Sequence, residues 1–367
     1  MNWLILLFAI LAILLFIITQ YYRLNYDSQR EKIETFQQKL DEKEKYNSLS
    51  AKEKLKYNHN IIIHFKQSPE ARKLIKRDSQ YIKLMNQPNL LARGCDSQDI
   101  LYSKYLGAFS DITPNEENTV NKAILNLLDT IKSRSPSYYN YIIFWLNGKI
   151  SIAKAQTWLE GGMPHTLETT IIMDVEWFIN PRMNTFIHEI THIHQRNAGF
   201  EWLDLYKYLG YSYINPADIK GIENIIVLNR NNPDGLDAGW LWTDFSNNKW
   251  WIGALFYNIT PNNLLDVEYV ALKLNMDNNG QLYYLKQTPI NLNKFCEFNI
   301  FFGANINNYH PNEMIAKFSE WYMDDILGNI PSHQESNTSN KNLKHDRYEG
   351  YKIYKNYFET MINTYYQ

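Results

Sequence analysis

Cysteine is almost missing from this chain of 367 residues: only Cys95 and Cys296 occur, far apart in sequence. A disulfide-stapled scaffold and a cysteine-rich zinc ribbon are thereby excluded, leaving one bridge or two reduced thiols. An excess of charge is missing as well. Lys and Arg total 37 against 39 Asp and Glu, a formal net charge of -2, so no basic surface for phosphates is on offer and nucleic acid is not an expected partner. No internal repeat is present, which removes solenoids and propellers. Apolar residues, by contrast, make up 45% of the chain, enough to fill one large domain or two closely packed ones.

Only one apolar run is long. From Trp3 to Ile18 every residue is apolar, and Tyr21 and Tyr22 follow, so aromatic rings stand at both ends. As a helix, Trp3 to Tyr22 covers about 30 Å, the thickness of bilayer hydrocarbon, with rings at both interfaces. Met1-Asn2 carries no Lys or Arg, and Ile18-Thr19-Gln20 offers no small-residue cleavage site, which favours a retained anchor over a cleaved signal peptide. Residues 1–22 are therefore expected to be a transmembrane helix holding a single-pass membrane protein. Its topology stays open: Arg23, Arg30 and Lys32 favour a cytoplasmic body, whereas Asn258-Ile259-Thr260 and Asn337-Thr338-Ser339 are formal glycosylation acceptors that suit the opposite side. Residues 23–57 are dense in Lys, Glu, Gln and Asp, with Ile33, Phe36 and Leu40 at helical spacing, and read as a charged helical stalk.

The body is expected over 58–328, an α+β domain with a mainly β insert at about 222–302, followed at 329–367 by a polar linker and a short C-terminal helix. Glu117 to Ser133 reads as helix. Thr166 to Asp174 is rich in β-branched residues and follows Gly161-Gly162-Met163-Pro164, so it reads as one strand entered from a turn. Asn180-Pro181 supplies an N-cap and a proline for the first helical position, and Asn197-Ala198-Gly199 a stop, so a helix is expected between them. Glu201 to Leu209 is again helical. In the insert, Trp240-Leu241-Trp242 and Trp250-Trp251 flank Ser246-Asn247-Asn248, and Ala271 to Leu274 and Leu282 to Leu285 flank Asp277 to Gly280. Both are hairpin patterns, with the tryptophans as β-core. His310-Pro311 opens a helix to about Leu327, before Gly328.

The chemistry concentrates in His188-Glu189-Ile190-Thr191-His192, mid-way along the first of these helices. Residues four apart share a helix face, so both imidazoles can converge on one ion. Zinc accepts such nitrogens at about 2 Å and in a catalytic site takes one more protein ligand while keeping a place for water. Glu189 lies where it can take a proton from that water. The third ligand must come from another element. Glu313, in the first turn of the Pro311 helix with Ala316 one turn on, is the candidate; Glu320 on the same face is the alternative ligand, or a carboxylate orienting an imidazole. His194, two residues past a ligand, points away and reads as surface.

The His188 to His192 run, the strand before it and the later His310-Pro311-Asn312-Glu313-x-x-Ala316 segment resemble a zincin-type zinc metallopeptidase, in the gluzincin arrangement with a distal Glu ligand. The resemblance implies a zincin-like body with an active-site helix and a mixed edge sheet. It implies Zn2+ on His188, His192 and Glu313, Glu189 as general base, and a peptide or protein substrate. Tyr309 or His310 would hydrogen-bond the oxyanion, His310 being equally suited to cap its helix. His165 to Asp174 would pair with an extended substrate, a plain core strand being the alternative. The chain departs from thermolysin-like enzymes in its long gap between His192 and Glu313 and in Lys317 four residues after Glu313. It departs from metzincins in Gln195 and Ala198, which replace a Gly and the third His. A membrane-anchored metallopeptidase is thus expected, the second reading being an inactive zincin-fold membrane protein with a structural or partner-binding role. In its abundance of Asn, Ile, Lys and Tyr the chain resembles proteins of giant DNA viruses, which would make the membrane that of a host or virion.

Overall fold

Two β-sheets carry the architecture, seen here in a computed structural model that describes residues 63–235, 239–303, 309–328 and 345–366. The first contains β1 (His64–Lys66), β2 (Phe109–Ser110), β3 (Ser151–Ala155), β4 (His165–Leu167) and β5 (Thr170–Asp174), in the order β1-β3-β5-β4 with β2 attached to β3. β1, β3 and β5 are parallel, while β2 and β4 run antiparallel to their neighbours and β4 forms an edge. Because side chains alternate along a strand, Ile152, Ile171 and Met173 enter the main core while Ala153, Ala155 and Ile172 enter a second core with Ile82, Leu101 and Phe109. Covering both faces is what allows the unbroken apolar run Ile171-Ile172-Met173.

The second sheet contains β6 (Tyr211–Tyr213), β7 (Trp240–Thr243), β8 (Lys249–Phe256), β9 (Val267–Met276), β10 (Leu282–Tyr284) and β11 (Ile290–Asn291), all antiparallel, in the order β10-β9-β8-β7-β6 with β11 on β9. Both expected hairpins form: Trp242 pairs with Trp250, and Leu274 with Tyr284. Trp242, Trp250 and Ile252 fill the main core; Leu241, Trp251 and Leu272 fill a cluster on the opposite face. The insert begins differently from expectation, with a helical turn at Glu223–Ile226 and a loop through 227–235 before the ladder resumes at Trp240.

Among the described residues five long helices cover the main core: α1 (Pro114–Arg134), α2 (Pro136–Leu146), α3 (Met183–Asn197), α4 (Pro311–Leu327) and α5 (Glu349–Tyr365). α1 starts three residues earlier than its apolar pattern, because Thr113 and Glu116 form a capping box around Pro114. α3 starts later than Asn180-Pro181 suggests. Those two residues lie in a turn closed by Trp177, whose indole N–H donates to the Arg182 carbonyl at 3.2 Å, so Arg182 takes the N-cap position without a side-chain cap. α4 matches its signals: His310 accepts from the Asn312 N–H at 3.1 Å, and Gly328 ends the helix in the left-handed region.

The segment Thr166 to Asp174 is a hairpin and not one strand. Glu168 has φ 54 and Leu167 pairs with Thr170, so the chain reverses at Glu168-Thr169. A glycine or asparagine normally marks such a turn; here the Arg196 guanidinium holds the Glu168 carbonyl at 2.9 Å. α5 is the C-terminal helix expected within 329–367, and Tyr351, Tyr354, Phe358 and Ile362 place it in the main core. The expected anchor at 1–22 and stalk at 23–57 lie outside the described residues, none of whose helices is long and apolar enough to cross a membrane.

Candidate metal centre

α3 lies between the first sheet and α4, and fully buried Ala316 lets the two helices come close. Asn184 ties them further along by donating to Asp324 at 3.1 Å. At the middle of the contact, His188 Nε2 stands 3.3 Å from one Glu313 oxygen and His192 Nε2 stands 3.5 Å from the other. One ligand atom from each of the three residues can be chosen so that all lie within 4.8 Å. Ligands held tetrahedrally about 2.0–2.1 Å from zinc sit about 3.3 Å apart, so the spacing suits such an ion.

The far sides of the rings settle which nitrogen is presented. Gln195 donates its amide N–H to the Asn312 carbonyl at 3.1 Å, which turns its oxygen towards His192 Nδ1 at 2.9 Å. That oxygen only accepts, so His192 donates from Nδ1 and keeps the Nε2 lone pair for the centre. Glu320 does the same for His188, accepting from Nδ1 at 2.8 Å while Lys317 neutralises its other oxygen at 2.7 Å. Glu320, the alternative ligand by sequence, thus lies behind His188 and orients its imidazole. Lys317, a departure from thermolysin-like chains, serves Glu320. Truncating Glu320→Ala is expected to lower zinc affinity by about 10–100-fold, measured by competition with a chromophoric chelator; unchanged affinity would remove the orienting role.

Opposite charges face each other at the three residues. Burial opposes charge on His188, but hydrogen bonds to Glu313 and Glu320 outweigh it and hold the imidazole well above its usual value. Burial likewise works against ionised Glu313, yet the charge of His192 and hydrogen bonds from both imidazoles keep it well below the usual carboxylate range. Burial, and after it the charge of Asp234, push the Glu189 carboxyl up to about 8 against the pull of His188 and His192. Glu189 is 2% exposed and its Oε2 has no hydrogen-bond partner among the described residues.

No family model, curated protein or solved structure matches this chain.

The remaining sequence candidates separate. Tyr309 reaches the centre indirectly: Asn232 donates both to its hydroxyl at 2.7 Å and to Glu313 at 2.6 Å. His310 is the N-cap of α4, with Gly235 against its ring, where an added Cβ would meet the imidazole at 3.0 Å. His194 is not at the surface. It is fully buried between Tyr141, at 3.0 Å from Nδ1, and Glu201, at 2.9 Å from Nε2, among the rings of Trp145 and Trp202. Facing away from His188 and His192 here means facing the core.

Sequence reasoning missed the loop at 227–235. Besides Asn232 it brings Asp234, whose carboxylate accepts from Thr166 N–H at 3.1 and 3.2 Å, from the Thr166 hydroxyl, and from Arg196 at 3.0 Å. Thr166 is the central residue of edge strand β4. Its outward N–H, the group a substrate strand would use, is already taken, so pairing there requires Asp234 to give way. Only the turn residues Asn231-Asn232-Pro233-Asp234-Gly235 hinted at a special loop.

Proposed function

We propose that this chain is a zincin-type, gluzincin-like zinc metallopeptidase, anchored in a membrane through residues 1–22. The observation that carries the proposal is the convergence of His188 Nε2, His192 Nε2 and Glu313 while both Nδ1 atoms are committed elsewhere. Two histidines and a carboxylate are the donor set of a catalytic zinc site that leaves one position open. Zinc bound there would supply Lewis acidity, lowering the pKa of water and polarising a carbonyl.

The chain's own groups supply the rest. Glu189 Oε2, buried and without a partner among the described residues, takes the proton of the attacking water and passes it to the leaving amine nitrogen, so one water is consumed and an acid and an amine are released. The carboxyl of Glu189 would be lowered towards the ionised form this role needs by a cation held on His188, His192 and Glu313. Antiparallel edge strand β4 beside α3 supports the zincin comparison, and the presence of Glu189 favours an active enzyme over an inactive zincin-fold membrane protein.

Zinc analysis of the purified full chain tests the site. One zinc per chain is expected, with occupancy falling below about a tenth in His192→Ala and Glu313→Ala, since losing one of three ligands removes most of the binding energy. Full occupancy in both variants would overturn the assignment. Chelation should abolish peptide cleavage, and added zinc should restore it.

A further inference from the structure

Arg230 is 5% exposed and, among the described residues, has only neutral partners. Its guanidinium donates to the Leu264 carbonyl at 3.2 Å, to the Tyr309 hydroxyl at 3.2 Å and to the Tyr269 hydroxyl at 3.5 Å, and it lies over both phenol rings, 5.3 and 5.8 Å from their centroids. The chain treats its other buried cations differently: Arg93 pairs with Glu160 and Lys154 with Glu116, each at 2.8 Å. A buried guanidinium without an anion is costly, and the cost falls when an anion arrives.

Tyr309 adds an independent observation. Its hydroxyl oxygen receives hydrogen bonds from Arg230 and from Asn232. Two donors fill both lone pairs, so the hydroxyl proton is left to be given, and no described group accepts it although Tyr309 is only 8% exposed. A guanidinium without an anion and, 3.2 Å away, a phenol without an acceptor among the described residues together suit a carboxylate.

We infer that Arg230 and Tyr309 bind a carboxylate of the substrate, and that the preferred substrates are peptides cut one or two residues from a free C-terminus. The inference rests on the hydrolytic function proposed above and gives it a substrate class. The ruler is Asn232, which spans from Tyr309 at 2.7 Å to Glu313 at 2.6 Å. The Tyr309 hydroxyl is two hydrogen bonds from the ligand carboxylate and Arg230 three, and two residues of extended chain reach about 7 Å. A carboxylate seated on Arg230 therefore brings a bond near the chain's end to the metal centre. Arg230 touches substrate in this scheme and determines specificity; Asn232 is a positioning residue.

The test uses the zinc-loaded full chain in detergent with matched peptides that end in a free acid or an amide. Acid peptides should be cleaved with kcat/KM at least tenfold above their amides, and N-acetylphenylalanine, but not its amide, should bind by calorimetry. Arg230→Gln should bring both contrasts to about one, and Arg230→Lys should keep part of them. Equal cleavage of acid and amide by the wild type would overturn the inference while leaving the peptidase standing. Selective binding of the acid, lost in Arg230→Gln, with no peptide cleaved, would support the receptor and sink the peptidase. Should Arg230→Gln fail to fold, the wild-type contrast decides alone.

Discussion

Glu189→Gln is expected to keep one zinc per chain and to lower kcat for peptide hydrolysis by about 10²–10⁴-fold. Glutamine preserves the size of the side chain at a position 2% exposed, yet it cannot accept the water proton. The pH behaviour of the zinc-free protein separates this role from a structural one. In that state the Glu189 carboxyl sits at about 8, against an ordinary value of 4.5. Between those pH values the folded chain holds a proton that the unfolded chain has released, so this group makes stability fall as pH rises from about 4.5 to about 8. Glutamine mimics the protonated form, so the variant should match the wild type near pH 5 and gain on it near pH 8. Urea unfolding of chelated protein at both pH values reads this directly. Turnover within tenfold of wild type would remove Glu189 from proton transfer, and a large loss of stability near pH 5 would mark it as a packing residue.

How much of this centre was legible in the sequence depends on whether a residue's partner is local. His188 and His192 are four apart on a helix, and Glu313 follows a proline that starts one, so a face could be assigned to each without the fold. The hairpins at Trp242 and Trp250 and at Leu274 and Tyr284 were legible for the same reason. Asn232, Asp234 and Arg230 were not, because they share a loop without periodicity and their partners lie far off in sequence: Glu313, Thr166, Tyr309. His194 was misplaced because two polar partners, Tyr141 and Glu201, make a buried imidazole acceptable, and both come from outside α3. The Glu168 turn was invisible because an arginine from α3 does what a glycine usually does.

The same loop makes the second large effect one of stability. Glu160→Ala is expected to cost about 3–5 kcal/mol, since it leaves the Arg93 charge buried and unpaired. Both side chains are 2% exposed and meet at 2.8 Å, with Tyr81 donating to the carboxylate at 2.6 Å and Tyr105 also bonded to it. Glu160 occupies the left-handed region at φ 49, an unfavourable place for a side chain, and the ion pair offsets that strain. Arg93 continues to the Asn231 carbonyl at 2.9 Å, and Asn89 accepts from Asn231 N–H at 2.8 Å. The pair thus anchors the loop whose next residue touches Glu313, and the variant should lose zinc affinity as well as stability. An apolar double variant, Arg93→Met with Glu160→Leu, separates the two effects. It should recover much of the stability, because no charge remains buried, while zinc stays weakly held because the Asn231 contact is gone. Acid gives a further check. Burial raises the Glu160 carboxyl, but the charge and hydrogen bonds of Arg93 outweigh it and hold the group below its ordinary 4.5. The stability it contributes is complete above that value and is lost as pH falls through the folded one, so the wild type should lose stability between pH 5 and lower pH more steeply than the double variant. Parallel acid curves for the two proteins would show that the ionised Arg93–Glu160 pair contributes no stability.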